Sequence, residues 1–223
     1  MAQIRHFDLD LAELKRSLVA MGNLVEDMLA LGVGTIVAPN LDARDRASAL
    51  EERVDAAETM IEERCHQMIA LQSPMARDLR FLISATRIAS DLEQVGDLAE
   101  SITKRADYIA RHSPVANPEC LNPLGTIARR MINQALEAFV TGNLGVARGI
   151  MGEEREADAL TKLCYGGIQA AMQAHPELIK EYTHLLRAVG HLEHAADIAV
   201  SIADEAVYIH RGDLVRHQHD PEG

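Results

Sequence analysis

Glu93 and Asp97 stand four residues apart in "DLEQVGDLAES", Asp91 to Ser101, a stretch whose composition favours a helix. On a helix this spacing puts the two carboxylates about 40° apart on one face. There, like charges destabilise an isolated helix by roughly 0.2–0.5 kcal/mol. A cation held between them would offset that cost. The same spacing recurs as Glu193 and Asp197 in "HLEHAADIAVS", as Glu51 with Asp55 in "EERVD", and as Glu154 with Asp158 in "EEREAD". Two such pairs on neighbouring helices would form an all-oxygen donor set for a hard or borderline cation. A solvated acidic face is the competing reading, weakened by the recurrence of the pair four times.

A different metal chemistry is suggested by ExxH, the ligand spacing of carboxylate-bridged di-iron bundles. It occurs as Glu63 with His66 and as Glu181 with His184, which would suit a di-metal redox or storage enzyme. The two copies do not superpose under the chain's internal repeat. No GxSxG, P-loop or GxGxxG stretch is present, and "GNLGVARG", Gly142 to Gly149, fits no phosphate cradle. Nucleophilic catalysis therefore has no candidate residue. Arg77, Arg80 and Arg87 raise the possibility of oxyanion binding, against the simpler expectation that they pair with Asp78, Asp91 or nearby Glu residues.

These residues must be positioned by helices. Ala, Leu, Met, Glu and Arg are plentiful, aromatic residues are 3% of the chain, Trp is absent, and 48% of residues are hydrophobic. That balance predicts an all-α fold with almost no strand. Six helices follow from start and stop signals. The first runs from about Asp8 to Val37 and stops at Pro39, and the second from about Ala43 to Leu71. The third is capped by Ser73 with Pro74 in its first turn, and reaches about Arg111. The others cover about Leu124 to Val140, about Val146 to Gln173, and the region after Pro176. "HSPVANPECLNP", His112 to Pro123, carries three prolines and reads as a linker.

Subtracting 100 lays the last helix on the third without a gap, with Arg187 on Arg87, Glu193 on Glu93, Asp197 on Asp97 and Tyr208 on Tyr108. An offset of 103 lays Glu154 on Glu51 and Asp158 on Asp55. The chain thus reads as two copies of a three-helix unit, 1–112 and 124–212, joined by a linker at 113–123 and followed by a flexible tail at 213–223. The histidines His210, His217 and His219 near that tail suggest at most adventitious metal binding. On the third helix, Ala85, Ala89, Leu92, Val95, Ala99, Ile102, Ala106 and Ile109 form the apolar stripe, and the carboxylates border it. Met60, Met68, Met131, Met151 and Met172 read as core filler.

The net charge of −12 argues against nucleic acid as a partner. The longest apolar run, Met28 to Ala38, is too short to span a bilayer, and the N-terminus has no signal-like segment, so a cytoplasmic protein is expected. Cys65, Cys120 and Cys164 form no CxxC and are expected to be reduced structural thiols.

From Ser73 to Ile102, "SPMARDLRFLISATRIASDLEQVGDLAESI" resembles the PhoU family through its "ARDLR" start and its "LEQVGD", and "LEHAAD", Leu192 to Asp197, is a second, looser copy. The resemblance extends from about Phe7 to Gly212. It implies two similar three-helix bundles, a homodimer, and metal ions (Fe, Zn, Mn or Mg) at E(D)xxxD positions matching Glu51/Asp55, Glu93/Asp97, Glu154/Asp158 and Glu193/Asp197. Where that family has His and Asn in "GDHAxNIA", this chain has Leu98 and Ser101, then Ile198 and Ser201. The implied role is non-enzymatic: negative regulation of phosphate uptake and phosphate-starvation signalling, by contact with a phosphate-sensor histidine kinase and the ATPase of the phosphate ABC transporter. A metal-free helical scaffold is a further alternative.

Overall fold

Helix-forming sequence interrupted by Pro, Gly and Asn gives six long helices in the computed structural model, which describes residues 6–113 and 115–211. They are α1 (His6–Val37), α2 (Ala43–Gln72), α3 (Arg77–His112), α4 (Leu121–Thr141), α5 (Leu144–Ala174) and α6 (Ile179–Arg211), with a short 3-10 turn at Pro176–Leu178 before α6. No strand occurs among the described residues. The 213–223 tail, with His217 and His219, and the His210 side chain lie outside the described set.

Two helix ends differ from expectation. Ser73 does not cap α3; it closes α2 in the left-handed region, at φ 47°, and α3 begins only at Arg77. Pro74 sits in the intervening loop, because the chain must reverse between two antiparallel helices before a new one can start. In the second repeat Pro176 does open a helical turn, of 3-10 type. α4 starts at Leu121, so Pro123 lies within its first turn, where a missing N–H costs nothing. Gly142 ends α4 at φ 76°, its N–H bonded to the Ala138 carbonyl, and the Asn143 side chain caps α5 through the Gly145 N–H.

α3 and α6 pack antiparallel at the centre. Ser84 near the start of α3 reaches Glu205 near the end of α6, Gln94 meets His194 at mid-length, and Tyr108 near the end of α3 stacks on His184 near the start of α6. Gln94 and His194 are repeat equivalents, so a pseudo-two-fold axis passes close to them. α1 and α4 form the second inter-repeat contact, close enough that a Cβ on Gly125 would lie 2.8 Å from Val33 Cγ2. α2 and α5 lie outside, each packed only on helices of its own repeat.

Burial follows from this arrangement. α2 buries a narrow stripe, Ala43, Ala47, Val54, Ile61, Cys65 and Met68, whereas α3 packs on three helices and buries a broad face that includes the whole stripe from Ala85 to Ile109. A single apolar core runs through both repeats. Met68 and Met131 belong to it, but Met60 and Met151 are exposed, since they fall on the outward faces of α2 and α5.

Two further expectations change. α1 as a whole, over Phe7–Val37, is long and apolar enough to cross a membrane, with a mean hydropathy of 1.3 in its most apolar window, which the shorter run from Met28 concealed. Half of that window is buried against other helices. The thiols are not all reduced: Cys120 and Cys164 form a disulfide, and Cys65 alone is free, its thiol buried and pushed up to about 12. The linker carries Cys120 onto α5, a meeting that spacing along the chain does not reveal.

Candidate metal centre

α2 and α3 each carry the pattern ExxxDxxE: Glu51, Asp55 and Glu58 on one, Glu93, Asp97 and Glu100 on the other. At spacings of four and three, each set forms a row along one helical face. The antiparallel packing of the helices turns the two rows toward each other. Carboxylate oxygens of Glu51, Asp55 and Glu93 lie within 4.8 Å of one another, and so do those of Glu51, Asp97 and Glu100. Glu51 belongs to both groups and stands at the centre.

Gly96 allows this approach. A Cβ there would sit 3.2 Å from Val54 Cγ1 and 3.5 Å from Glu51 Oε2, so a side chain would crowd the Val54 side chain and touch the Glu51 carboxylate. Glu51 Oε2 is buried and no donor reaches it. Burial, followed by the charges of Asp97 and Asp55, pushes the Glu51 carboxyl up to about 8; in its protonated form it can donate to Asp97. Glu93 is raised by burial and by Asp97, Glu58 and Asp55, and Glu58 by burial and Glu62, with a hydrogen bond to Ser90 acting the other way. Without metal, Glu51 therefore keeps its proton at neutral pH, and a di- or trivalent cation could take its place.

The second repeat is built differently. Its rows read Glu154, Asp158, Thr161 and Glu193, Asp197, Val200, so that a buried hydroxyl and an apolar side chain stand where Glu58 and Glu100 stand in the first. Ala196 occupies the place of Gly96. Tyr165 Oη donates to Glu193 Oε2 at 3.4 Å, filling space over Gly190, where a Cβ would come within 3.0 Å of that hydroxyl. Glu193 is raised by burial and Asp197, and partly relieved by Tyr165 and Lys162. Asp197 is raised by burial and Asp158, with His194 opposing. Among the described residues, only the first repeat gathers three ligand atoms.

Of the eight residues expected at metal sites, Glu51, Asp55, Glu93 and Asp97 are brought together, while Glu154, Asp158, Glu193 and Asp197 form no such group. Glu58 and Glu100 were missed, although each lies seven residues beyond a candidate Glu and hence on the same face. The ExxH alternative is not assembled. Glu63 and His66 are exposed on α2, while Glu181 is buried and His184 stacks on Tyr108 in the other repeat.

The PhoU domain matches residues 18–106 and again 121–206. The chain belongs to the PhoU family. A phosphate-specific transport system accessory protein PhoU homolog of Aquifex aeolicus is 30% identical over 96% of both chains, and that of Rhizobium meliloti is 31% identical over 92% of this chain and 87% of its own. The solved PhoU of Streptococcus pneumoniae, titled a phosphate transport system regulatory protein, superposes with a TM-score of 0.86 at 28% identity, over 94% of this chain and 99% of that one. The Pseudomonas aeruginosa PhoU structure has the same TM-score at 24% identity and shares the fold. In this PhoU chain the family's His and Asn positions are held by half-buried Leu98 and Ser101, and by buried Ile198 and exposed Ser201. These supply no strong ligand, and the donor set remains oxygen only.

Proposed function

We propose that this PhoU family member is a non-enzymatic accessory protein of phosphate transport. It acts on the cytoplasmic side as a homodimer, restraining uptake and phosphate-starvation signalling through the transporter ATPase and the phosphate-sensor histidine kinase. The carrying observation is the PhoU domain found twice along the chain, with relatives of nearly equal length named as phosphate-specific transport system accessory proteins. Deleting the protein should raise phosphate-starvation reporter output or phosphate uptake in phosphate-rich medium. If both stay unchanged in a cell with no second PhoU copy, the regulatory reading fails.

The first repeat fits a metal ion. Its orphaned buried Glu51 oxygen and its all-carboxylate donor set favour Mg, Mn or Fe over soft metals, with Zn less suited. Glu51, Asp55, Glu93 and Asp97 would hold the ion, supported by Glu100. Bound there, it would neutralise the facing carboxylates and tie α2 to α3, setting the surface that a partner meets. Elemental analysis of purified protein tests this part separately from the reporter experiment.

A further inference from the structure

The α3–α6 interface contains two pseudo-equivalent clusters of opposite electrical character. In one, Glu205 of α6 is enclosed by α3: Ser84 Oγ donates to Glu205 Oε2 at 2.5 Å and Arg87 Nη1 pairs with Glu205 Oε1 at 3.2 Å. Arg80 and Asp91 complete that stretch of α3. The repeat offset of 100 carries Ser84 to His184, Arg87 to Arg187, Asp91 to His191, Arg80 to Lys180, and Arg105 to Glu205. The second cluster therefore has an arginine where the first has its central carboxylate, and a histidine where the first has an aspartate.

Among the described residues Arg105 has no acidic partner. Its Nε donates to His191 Nε2 at 3.2 Å, and among the described residues the rest of its guanidinium makes no bond and neither it nor Arg187 is in an ion pair. Arg187 is close enough that its charge, after burial, works against the Arg105 cation. His184 Nδ1 is buried without a partner, its ring stacked on Tyr108 at 4.0 Å. Lys180 Nζ lies 5.4 Å from the Tyr108 ring centre and donates toward the Tyr108 hydroxyl. The buried carboxylate of Glu181 acts on Lys180 and His184. Arg187 and Lys180 are exposed while Arg105, His184 and His191 are half-buried, which leaves the cluster open to a small solute.

We infer that Arg105, Arg187, His184 and Lys180 form a binding site for a phosphate-class oxyanion, which takes the part that Glu205 plays in the other half of the interface. Two guanidiniums and an ammonium, all near enough for their charges to act on His184, suit a tetrahedral dianion, to which arginine donates through paired N–H groups. A chain of net charge −12 gives such a cluster no general electrostatic purpose. The ligand chemistry is shared by free orthophosphate and by the terminal phosphates of a nucleotide.

The test is equilibrium dialysis of the full chain against radiolabelled orthophosphate and, separately, ATP, with EDTA throughout so that no cation in the first repeat carries the anion. Saturable binding is expected, weakened roughly tenfold or more by Arg187→Gln and abolished by Arg105→Glu, which builds in the carboxylate of the other half. Arg105→Glu should keep the wild-type melting temperature, since its Glu faces Arg187 as Glu205 faces Arg87. Arg87→Gln should leave binding unchanged. Whichever of orthophosphate and ATP binds more tightly, with loss in both cluster variants, identifies the source. No binding of either anion at millimolar concentration, or binding that persists in both Arg105→Glu and Arg187→Gln, overturns the inference; it stands or falls independently of the metal and regulatory readings.

Discussion

The two repeats share one helical frame and close it by different means. In the first, α2 meets α3 through six carboxylates, with Gly96 admitting Glu51 between them. In the second, Thr161 and Val200 remove two of those carboxylates, Tyr165 bonds to a third, and a disulfide from Cys120 fastens the start of α4 to α5. At the offset of 103, Ile61 stands in the first repeat where Cys164 stands in the second. Duplication preserved the apolar stripes, whose geometry the fold requires, and left the polar faces free to diverge. One copy keeps its carboxylates facing each other; in the other, Tyr165 braces one of those that remain.

The largest effect that would sharpen this contrast is loss of the disulfide. It closes a segment of 44 residues, for which chain entropy gives about 4 kcal/mol. Cys120→Ser with Cys164→Ser should lower the melting temperature, and hydrogen exchange should rise mainly in α4 and α5. An unchanged melting temperature, or a loss of protection centred on α2, would break the assignment of the staple to the second repeat.

Next in size is metal removal. At a hundredfold excess over Kd a bound ion contributes about 2.7 kcal/mol. Chelation should lower the melting temperature of wild type and of Glu193→Ala/Asp197→Ala alike, but not that of Glu93→Ala/Asp97→Ala, which should also lose its bound metal. Equal chelator sensitivity in the two double variants would contradict the difference between the repeats.

The third concerns pH in metal-free protein. Glu51 in the fold keeps its proton up to about 8, against an ordinary value of 4.5. Between these values the folded chain binds more protons than the unfolded one, so stability is greatest below the lower value and declines as pH rises through the higher. Thermal melts from pH 5 to pH 8 should show that decline, and Glu51→Gln should flatten it. A wild-type melting temperature that climbs across this window would refute the protonated cluster. The smallest effect is that of Tyr165→Phe, about 0.5 kcal/mol for a long hydrogen bond at 3.4 Å, measured by denaturant unfolding. A loss several times larger would make Tyr165 a principal brace of its repeat.

Much of this was legible along the chain. The helices, the repeat and the stripe from Ala85 to Ile109 follow from periodicity, because a helix repeats its environment every three to four residues. Glu51, Asp55, Glu93 and Asp97 were legible for the same reason, and Glu58 and Glu100 would have been had the spacing been followed one turn further. The Cys120–Cys164 bond, the Arg87–Glu205 pair and the unequal fates of the two acidic rows were not. Each depends on which residue a second helix places opposite, and that is fixed by packing between segments distant in sequence. Ser73 misled because Ser before Pro reads as a helix start, whereas the local reversal uses it to end the preceding helix.

The uninterrupted core has a consequence for how the molecule comes apart. α3 and α6 are buried on the side that faces the other repeat as well as within their own, so neither half has a surface that water would tolerate alone. Heat should therefore melt both halves in one transition, with calorimetric and van't Hoff enthalpies in agreement. A gene fragment ending in the linker should yield a chain that self-associates, two copies of α3 meeting across the axis where α6 belongs.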